Sequence, residues 1–135
     1  MGSMDAETFD GGCTCRCVRY RLDRVSLQGG EVERIDTPSS SGRGQKISRC
    51  PKCRVALWSH YAGGGDAVSF VRVGTLDEPD RFPPGIHIFT ASKQPWVVLP
   101  PGTPAVAAYH DAQAVWPPQS LARRAALQAK RQPPT

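Results

Sequence analysis

Short stretches of alternating apolar and polar side chains are the main hydrophobic pattern in this chain of 135 residues. Residues 18–22 (VRYRL), 31–36 and 45–49 alternate with the period of two that a half-buried strand requires, and the turn residues 37–44 (TPSSSGRG) separate the last two. The stretches 54–61 (RVALWSHY) and 67–73 (AVSFVRV) are also typical of strands, and residues 86–89 predict an edge strand between prolines. The pattern therefore predicts a mainly β protein with a hairpin over residues 31–49.

The two ends of the chain lack this alternation. Residues 1–10 are polar and predict a flexible N-terminus, while residues 102–135 form a Pro- and Ala-rich tail with few strand or helix signals. Ser120 could cap a short C-terminal helix over residues 121–130, although its apolar face is thin. We therefore expect one folded domain over residues 11–101, followed by the tail.

Hydropathy and charge narrow the class of protein. No apolar run reaches the length of about 18 residues that a membrane span needs, and residues 1–10 lack a secretory pattern, so we expect a cytoplasmic protein with no membrane contact. The formal charge is +5, and basic residues are spread along the chain apart from one cluster near its end: Arg123, Arg124, Lys130 and Arg131. We therefore expect these basic residues to form a solvated surface. The sequence does not exclude the alternative, that they bind nucleic acid.

Five cysteines occupy two short stretches, and in a reducing compartment this clustering favours metal over disulfides. Cys13 and Cys15 are separated by one residue and Cys50 and Cys53 by two, which together supply the four thiolates of a tetrahedral structural zinc site. Three alternatives stay open: a redox pair of Cys50 and Cys53, buried thiols without a metal, and Cys17 as a ligand, because Cys15 and Cys17 repeat the first spacing.

Four ordered motifs resemble the glutathione-dependent formaldehyde-activating (GFA) family, which includes the centromere protein V type domain. Residues 12–20 (GCTCRCVRY) resemble its opening motif, 50–53 (CPKC) its second knuckle, 73–79 (VGTLDEP) its Gly-x-Leu-Asp-x-Pro turn, and 87–89 with 92–96 (HIF, SKQPW) its closing motif. The resemblance covers about residues 11–101. It implies a β-tent sheet with two zinc knuckles and one structural zinc on Cys13, Cys15, Cys50 and Cys53.

The chain also departs from the family pattern. Arg16 and Arg54 stand where the family usually has Gly after each cysteine pair, which affects the local turn geometry. The family's middle Cys-x-Cys-x-x-Cys cluster, which holds a second, catalytic zinc, is absent, and residues 22–24 look like the seam of an internal shortening. The resemblance implies carbon–sulfur lyase activity on glutathione–aldehyde adducts, with glutathione or a small thiol adduct as ligand, but we expect this activity to be impaired.

No residue is assigned a catalytic role. Cys17 alone cannot rebuild the missing cluster, and His60, His87 and His110 fit structural or solvated positions better than ligand positions. Three tryptophans could line a pocket but fit the core, a sheet face or the tail equally well: Trp58, Trp96 and Trp116. The alternative function is a non-catalytic zinc-binding interaction module for protein or nucleic acid, and the sequence does not specify an oligomeric state.

Overall fold

A computed structural model describes residues 7–22 and 25–131 of the chain. Seven strands form two antiparallel sheets, which confirms the mainly β class. The first sheet has the order β1-β2-β3 and the second the order β4-β5-β6-β7. The strands are β1 (Phe9–Gly12), β2 (Arg19–Leu22), β3 (Ser26–Gly29), β4 (Glu33–Thr37), β5 (Gln45–Arg49), β6 (Ala56–Tyr61) and β7 (Phe70–Val71).

Contacts divide the chain into two compact units, one ending at Phe82 and the other beginning at Pro83. All seven strands belong to the first unit. The sequence-based boundary after residue 101 lies inside the second unit and stays a prediction. No helix in the described ranges is long and apolar enough to cross a membrane.

Strand alternation correctly located β2, β4, β5 and β6. The predicted hairpin pairs β4 with β5 in register, with Ile35 opposite Ile47, and β6 continues the sheet on the other side of β5. Ile47 and Leu57 are buried, so the alternating apolar positions do mark the packed face.

Two strands of the first sheet were not predicted. β1 includes Phe9 and Asp10, which the sequence interpretation placed in the flexible N-terminus; residues 1–6 lie outside the described residues. Backbone pairing with β2 orders this segment, a long-range effect without a local signal. The proposed seam covers residues 22–24. Leu22 is the last residue of β2, and Asp23 and Arg24 lie outside the described residues. β3 begins just after the seam.

The strand predicted over residues 67–73 is wrong in its extent, because only Phe70–Val71 pair with β6. Short 3₁₀ turns replace both ends, at Gly65–Ala67 and Val73–Thr75. The second turn brings Leu76 into a bridge with Gly11 of β1. Tertiary contacts therefore override the strong β propensity of this stretch.

The second unit also differs from expectation. The predicted edge strand over 86–89 is reduced to one parallel bridge between His87 and Ala105, because Phe89 has a left-handed backbone with φ 56° and Thr90–Ser92 form a 3₁₀ turn. A short helix, α1 (Ala112–Val115), was not predicted. The C-terminal helix α2 (Pro118–Arg131) is confirmed, but it begins at Pro118, so Ser120 lies inside its first turn and is not the cap.

The core of the first unit centres on Tyr20, Leu57 and Trp58, with the Tyr20 and Trp58 rings in edge-to-face contact at 5.5 Å. Tyr20 is fully buried and its hydroxyl bonds to Thr75 Oγ1 at 2.6 Å. Burial raises the pKa of Tyr20, so this hydroxyl keeps its proton. Cys13 and Cys50 belong to the same cluster, so the core holds one cysteine of each knuckle in place.

Candidate metal site

Two backbone turns of similar construction carry the four predicted ligands. In the first knuckle (residues 13–18), the N–H of Cys13 donates to the carbonyl of Val18 at 3.2 Å. In the second knuckle (residues 50–55), the N–H of Cys50 donates to the carbonyl of Val55 at 3.1 Å. Each bond closes a turn across the same number of residues, so each knuckle presents its cysteine side chains from a constrained loop.

Each turn contains a non-glycine residue with a left-handed backbone. Arg16 has φ 64° and its N–H donates to Cys13, while Arg54 has φ 67° and its N–H donates to Cys50. These are the two positions where the resemblance implies Gly, the residue that adopts positive φ without steric cost. The knuckle geometry is therefore retained, and arginine accommodates it with some strain.

The four predicted thiols converge, although the two pairs are far apart in the sequence. The sulfur atoms of Cys13, Cys15, Cys50 and Cys53 all lie within 4.8 Å of one another. The Sγ atoms of Cys13 and Cys15 are 3.5 Å apart and those of Cys15 and Cys50 are 3.7 Å apart. A tetrahedral zinc with bonds of about 2.3 Å to sulfur requires sulfur separations of about 3.8 Å, so this spacing suits such an ion.

Backbone N–H groups surround these sulfurs. The N–H of Val18 donates to Cys13 Sγ at 3.3 Å, and the N–H groups of Lys52 and Cys53 each donate to Cys50 Sγ at 3.4 Å. Hydrogen bonds of this kind stabilise thiolates, which are the form that binds a metal. The Val18 donor of the first knuckle was not predicted from the sequence.

Cys53 receives its hydrogen bonds across the two knuckles. The backbone N–H of Cys15, followed by that of Val55, lowers the pKa of Cys53 from its ordinary value to about 6. Because Cys15 belongs to the first knuckle, this bond connects the two loops directly. These backbone donors therefore favour the thiolate form of Cys53.

Burial differs among the four cysteines. Cys50 is fully buried and Cys13 is 4% exposed, whereas Cys53 is half-buried and Cys15 faces solvent. The site thus lies at the edge of the core, with one side open to solvent. Four soft sulfur donors in a compact group fit zinc, so the donor set and the spacing agree with the expected ion.

Cys17 and the three histidines lie outside this group. Cys17 is exposed, and within residues 7–22 and 25–131 the four-thiol set is the one group of three or more potential ligands. His60 Nδ1 bonds to the Val68 carbonyl at 3.0 Å, and His110 accepts a hydrogen bond from Trp116 at 2.9 Å. His87 has a buried Nε2 without a hydrogen-bond partner, but it joins no ligand group.

A groove of about 630 Å³ lies beside the loop of the β4–β5 hairpin. Its lining includes Lys46, His60 and Tyr61, but none of the four clustered cysteines. A small molecule in this groove would therefore not contact the thiols.

The family of the chain follows from a comparison with protein-family models. Residues 21–92 fit the family model described as "Glutathione-dependent formaldehyde-activating enzyme". The match includes Cys50 and Cys53 but begins after Cys13 and Cys15, so the first pair is identified by motif and geometry. No curated protein matches the chain.

Proposed function

Because the chain belongs to the glutathione-dependent formaldehyde-activating family, we propose that it binds one structural zinc and that the family's carbon–sulfur lyase activity is impaired in it. The convergence of Cys13, Cys15, Cys50 and Cys53 is the observation that carries this proposal. Four thiolates fill the coordination sphere of a tetrahedral zinc, whereas a catalytic zinc keeps one position open for water or substrate.

The structural role follows from the two knuckles. The bound ion would supply a cross-link between loops whose cysteines are 35 residues apart, counted from Cys15 to Cys50. The N–H groups of Val18, Lys52 and Cys53 that donate to the sulfurs of Cys13 and Cys50 would fix the direction of these two sulfurs. The N–H groups of Cys15 and Val55 would favour the thiolate form of Cys53. The knuckles would thereby join β2, which follows the first, to β5 and β6, which flank the second.

Loss of activity rests on the missing ligands. The chain has five cysteines, and after four are used only Cys17 is left, so the family's middle Cys-x-Cys-x-x-Cys cluster has no counterpart here. A glutathione–aldehyde adduct would then lack the open metal position to which its sulfur binds in intact relatives. We expect the protein in the cytoplasm, where glutathione is abundant and thiols stay reduced.

The second candidate is a non-catalytic zinc-binding interaction module for protein or nucleic acid, which the resemblance to the centromere protein V type domain permits. The concentration of positive charge near the C-terminus favours it, because residues 112–135 contain four basic and no acidic residues. Turnover separates the candidates: an enzyme shows saturable turnover of the formaldehyde–glutathione adduct, and an interaction module shows none.

Native mass spectrometry of the purified full chain, combined with an assay on the formaldehyde–glutathione adduct, tests the proposal. We expect one zinc per chain and no saturable turnover, both unchanged by Cys17→Ser. Two zinc ions with saturable turnover would overturn the proposed loss of activity. No zinc in the folded chain would overturn the structural metal site.

A further inference from the structure

The net charge of the chain is located almost entirely in its last residues. Residues 1–111 contain thirteen basic and twelve acidic side chains, whereas residues 112–135 contain four basic and none acidic. The last segment therefore contributes +4 of the formal charge of +5. An uncompensated positive segment of this kind attracts polyanions.

Helix α2 presents this charge on an exposed surface. Arg123 and Lys130 are seven residues apart, and Leu127 lies between them at helical spacing, so the three share one face. Arg123, Arg124 and Lys130 are all exposed, and Leu127 is 38% exposed. The guanidinium of Arg124 lies 5.2 Å from the centre of the Trp116 ring, which positions its charge beside an aromatic surface.

A row of rings continues from this arginine. Trp116 lies 6.2 Å from His110 and donates a hydrogen bond to it, and the His110 ring lies 4.4 Å from the Tyr109 ring at a tilt of 35°. The Tyr109 ring lies 6.0 Å from the Phe89 ring, and both of these residues are 52% exposed. The second unit thus combines basic side chains with a contiguous aromatic row that ends in two exposed rings.

We propose that the second unit binds single-stranded nucleic acid. Arg123, Arg124 and Lys130 contact phosphates, and bases stack on the exposed rings of Tyr109 and Phe89. Basic side chains that follow the backbone, together with aromatic rings for unpaired bases, are the two components of single-strand recognition without sequence preference. Duplex bases are already stacked and leave the rings without a partner.

An anionic membrane fits the helix less well. A helix that lies in a membrane surface buries bulky apolar side chains, usually Trp, Phe or Leu. The apolar residues of α2 are mostly alanine, with leucine at two positions, 121 and 127, and Leu127 lies among the basic residues. The inference goes beyond the zinc site and does not depend on it, because α2 and the aromatic row contain no cysteine.

Fluorescence anisotropy with the zinc-loaded full chain tests this inference. The probe is labelled oligo(dT) of about 20 nucleotides, compared with a duplex of the same length and with vesicles containing phosphatidylserine. We expect tighter binding to the single strand than to the duplex or the vesicles. Three phosphate contacts predict that log K falls against log salt concentration with a slope of about −2.

Two matched variants locate the surface. The triple variant R123Q/R124Q/K130Q is expected to weaken oligo(dT) binding by about tenfold or more and to flatten the salt slope. The control R34Q/R43Q/K46Q removes the same charge from exposed positions in the first unit and is expected to bind within about twofold of the parent. Tyr109→Leu, which keeps the apolar bulk, is expected to weaken binding about fivefold or more with an unchanged circular dichroism spectrum.

Four results would overturn the proposal: no binding to oligo(dT), equal or tighter binding to the duplex, binding to the vesicles alone, or equal losses in the two triple variants. Unchanged binding by the Tyr109→Leu protein would also contradict the stacking role. Zinc content, measured on the same samples, separates these results from a failure of the metal site.

Discussion

At the scale of single residues, the two knuckles depend on backbone angles that arginine adopts at a cost. Arg16 and Arg54 have φ of 64° and 67°, in the left-handed region that glycine occupies freely. The resemblance to a family with Gly at these positions was enough to locate the turns. The sequence did not indicate whether arginine keeps or changes the turn, because that depends on the hydrogen bonds to Cys13 and Cys50.

Replacing Arg16 by Gly is expected to stabilise the zinc-loaded protein by about 0.5–1 kcal/mol, because relief of the left-handed strain exceeds the added entropy of the unfolded chain. Urea unfolding at fixed zinc concentration measures the change. Arg16→Ala retains a Cβ and the strain, so it serves as the control and is expected to show no gain. Equal effects of the Gly and Ala substitutions would contradict the strain argument.

At the scale of elements, β1 approaches its neighbours too closely for any side chain at Gly11. A Cβ at this position would lie 2.6 Å from both the Tyr20 hydroxyl oxygen and the Thr75 carbonyl oxygen. This contact requires glycine at residue 11. It could not be foreseen from residues 1–12, because both neighbouring groups come from other parts of the chain.

Gly11→Ala is therefore expected to destabilise the protein by about 1–3 kcal/mol through overpacking between β1, Tyr20 and the 73–75 turn. Gly29→Ala in β3 is the matched control, because a Cβ there has no neighbour closer than 4.0 Å. The control is expected to change the unfolding free energy by less than about 0.5 kcal/mol. Thermal melting of both variants would contradict the argument if the two midpoints shifted equally.

An ion pair joins β2 to the turn that follows residue 75. Arg19 donates two hydrogen bonds to Asp77, at 3.0 and 2.5 Å, and the N–H of Asp77 donates to the carbonyl of Asp10 in β1. The Arg19 hydrogen bond lowers the pKa of Asp77 below its ordinary value of 3.8. The contribution to stability is thus present at pH values well above 3.8 and is lost progressively as the pH falls from there through the lowered pKa.

Asp77→Asn is expected to destabilise the protein by less than about 1 kcal/mol, because both partners are partly exposed and solvent screens the pair. The loss is expected to be equal at pH 7 and pH 5, since both values lie above the carboxyl pKa. Asp66→Asn, which removes the more exposed pair with Arg34, is the control and is expected to cost less. Urea unfolding at both pH values measures the difference, and a loss that disappeared at pH 5 would contradict this assignment.

At the scale of the whole molecule, local patterns located the cysteine pairs and four of the seven strands. The missing parts depend on long-range pairing. β1 is ordered by β2. The carbonyls of Pro104 and of residues 106–108, which lie in the tail where local signals are few, accept hydrogen bonds from backbone N–H groups between His87 and Ala91. Convergence of the thiols was predictable, because two cysteine pairs with metal-ligand spacing must come together to bind one ion, however far apart they lie in the sequence.

Metal removal is expected to unfold the first unit. A small domain buries little apolar surface, so the free energy of metal binding would supply part of its folding free energy. Trp58 is a suitable reporter, since it is 6% exposed and packs on Tyr20, whereas Trp96 is 78% exposed. In a W96F/W116F background, a strong zinc chelator is expected to shift the Trp58 emission to the red and to abolish the β signal in circular dichroism.

The same background separates the cluster from the fifth cysteine. Cys50 is fully buried, so Cys50→Ser is expected to show red-shifted Trp58 emission without chelator and to lack zinc. Cys17 is exposed and outside the cluster, so Cys17→Ser is expected to match the parent in both respects. The contradicting result is Trp58 emission that stays blue-shifted in a chain that mass spectrometry shows to be metal-free. It would mean that the core of Tyr20, Leu57 and Trp58 holds the two sheets together without the ion.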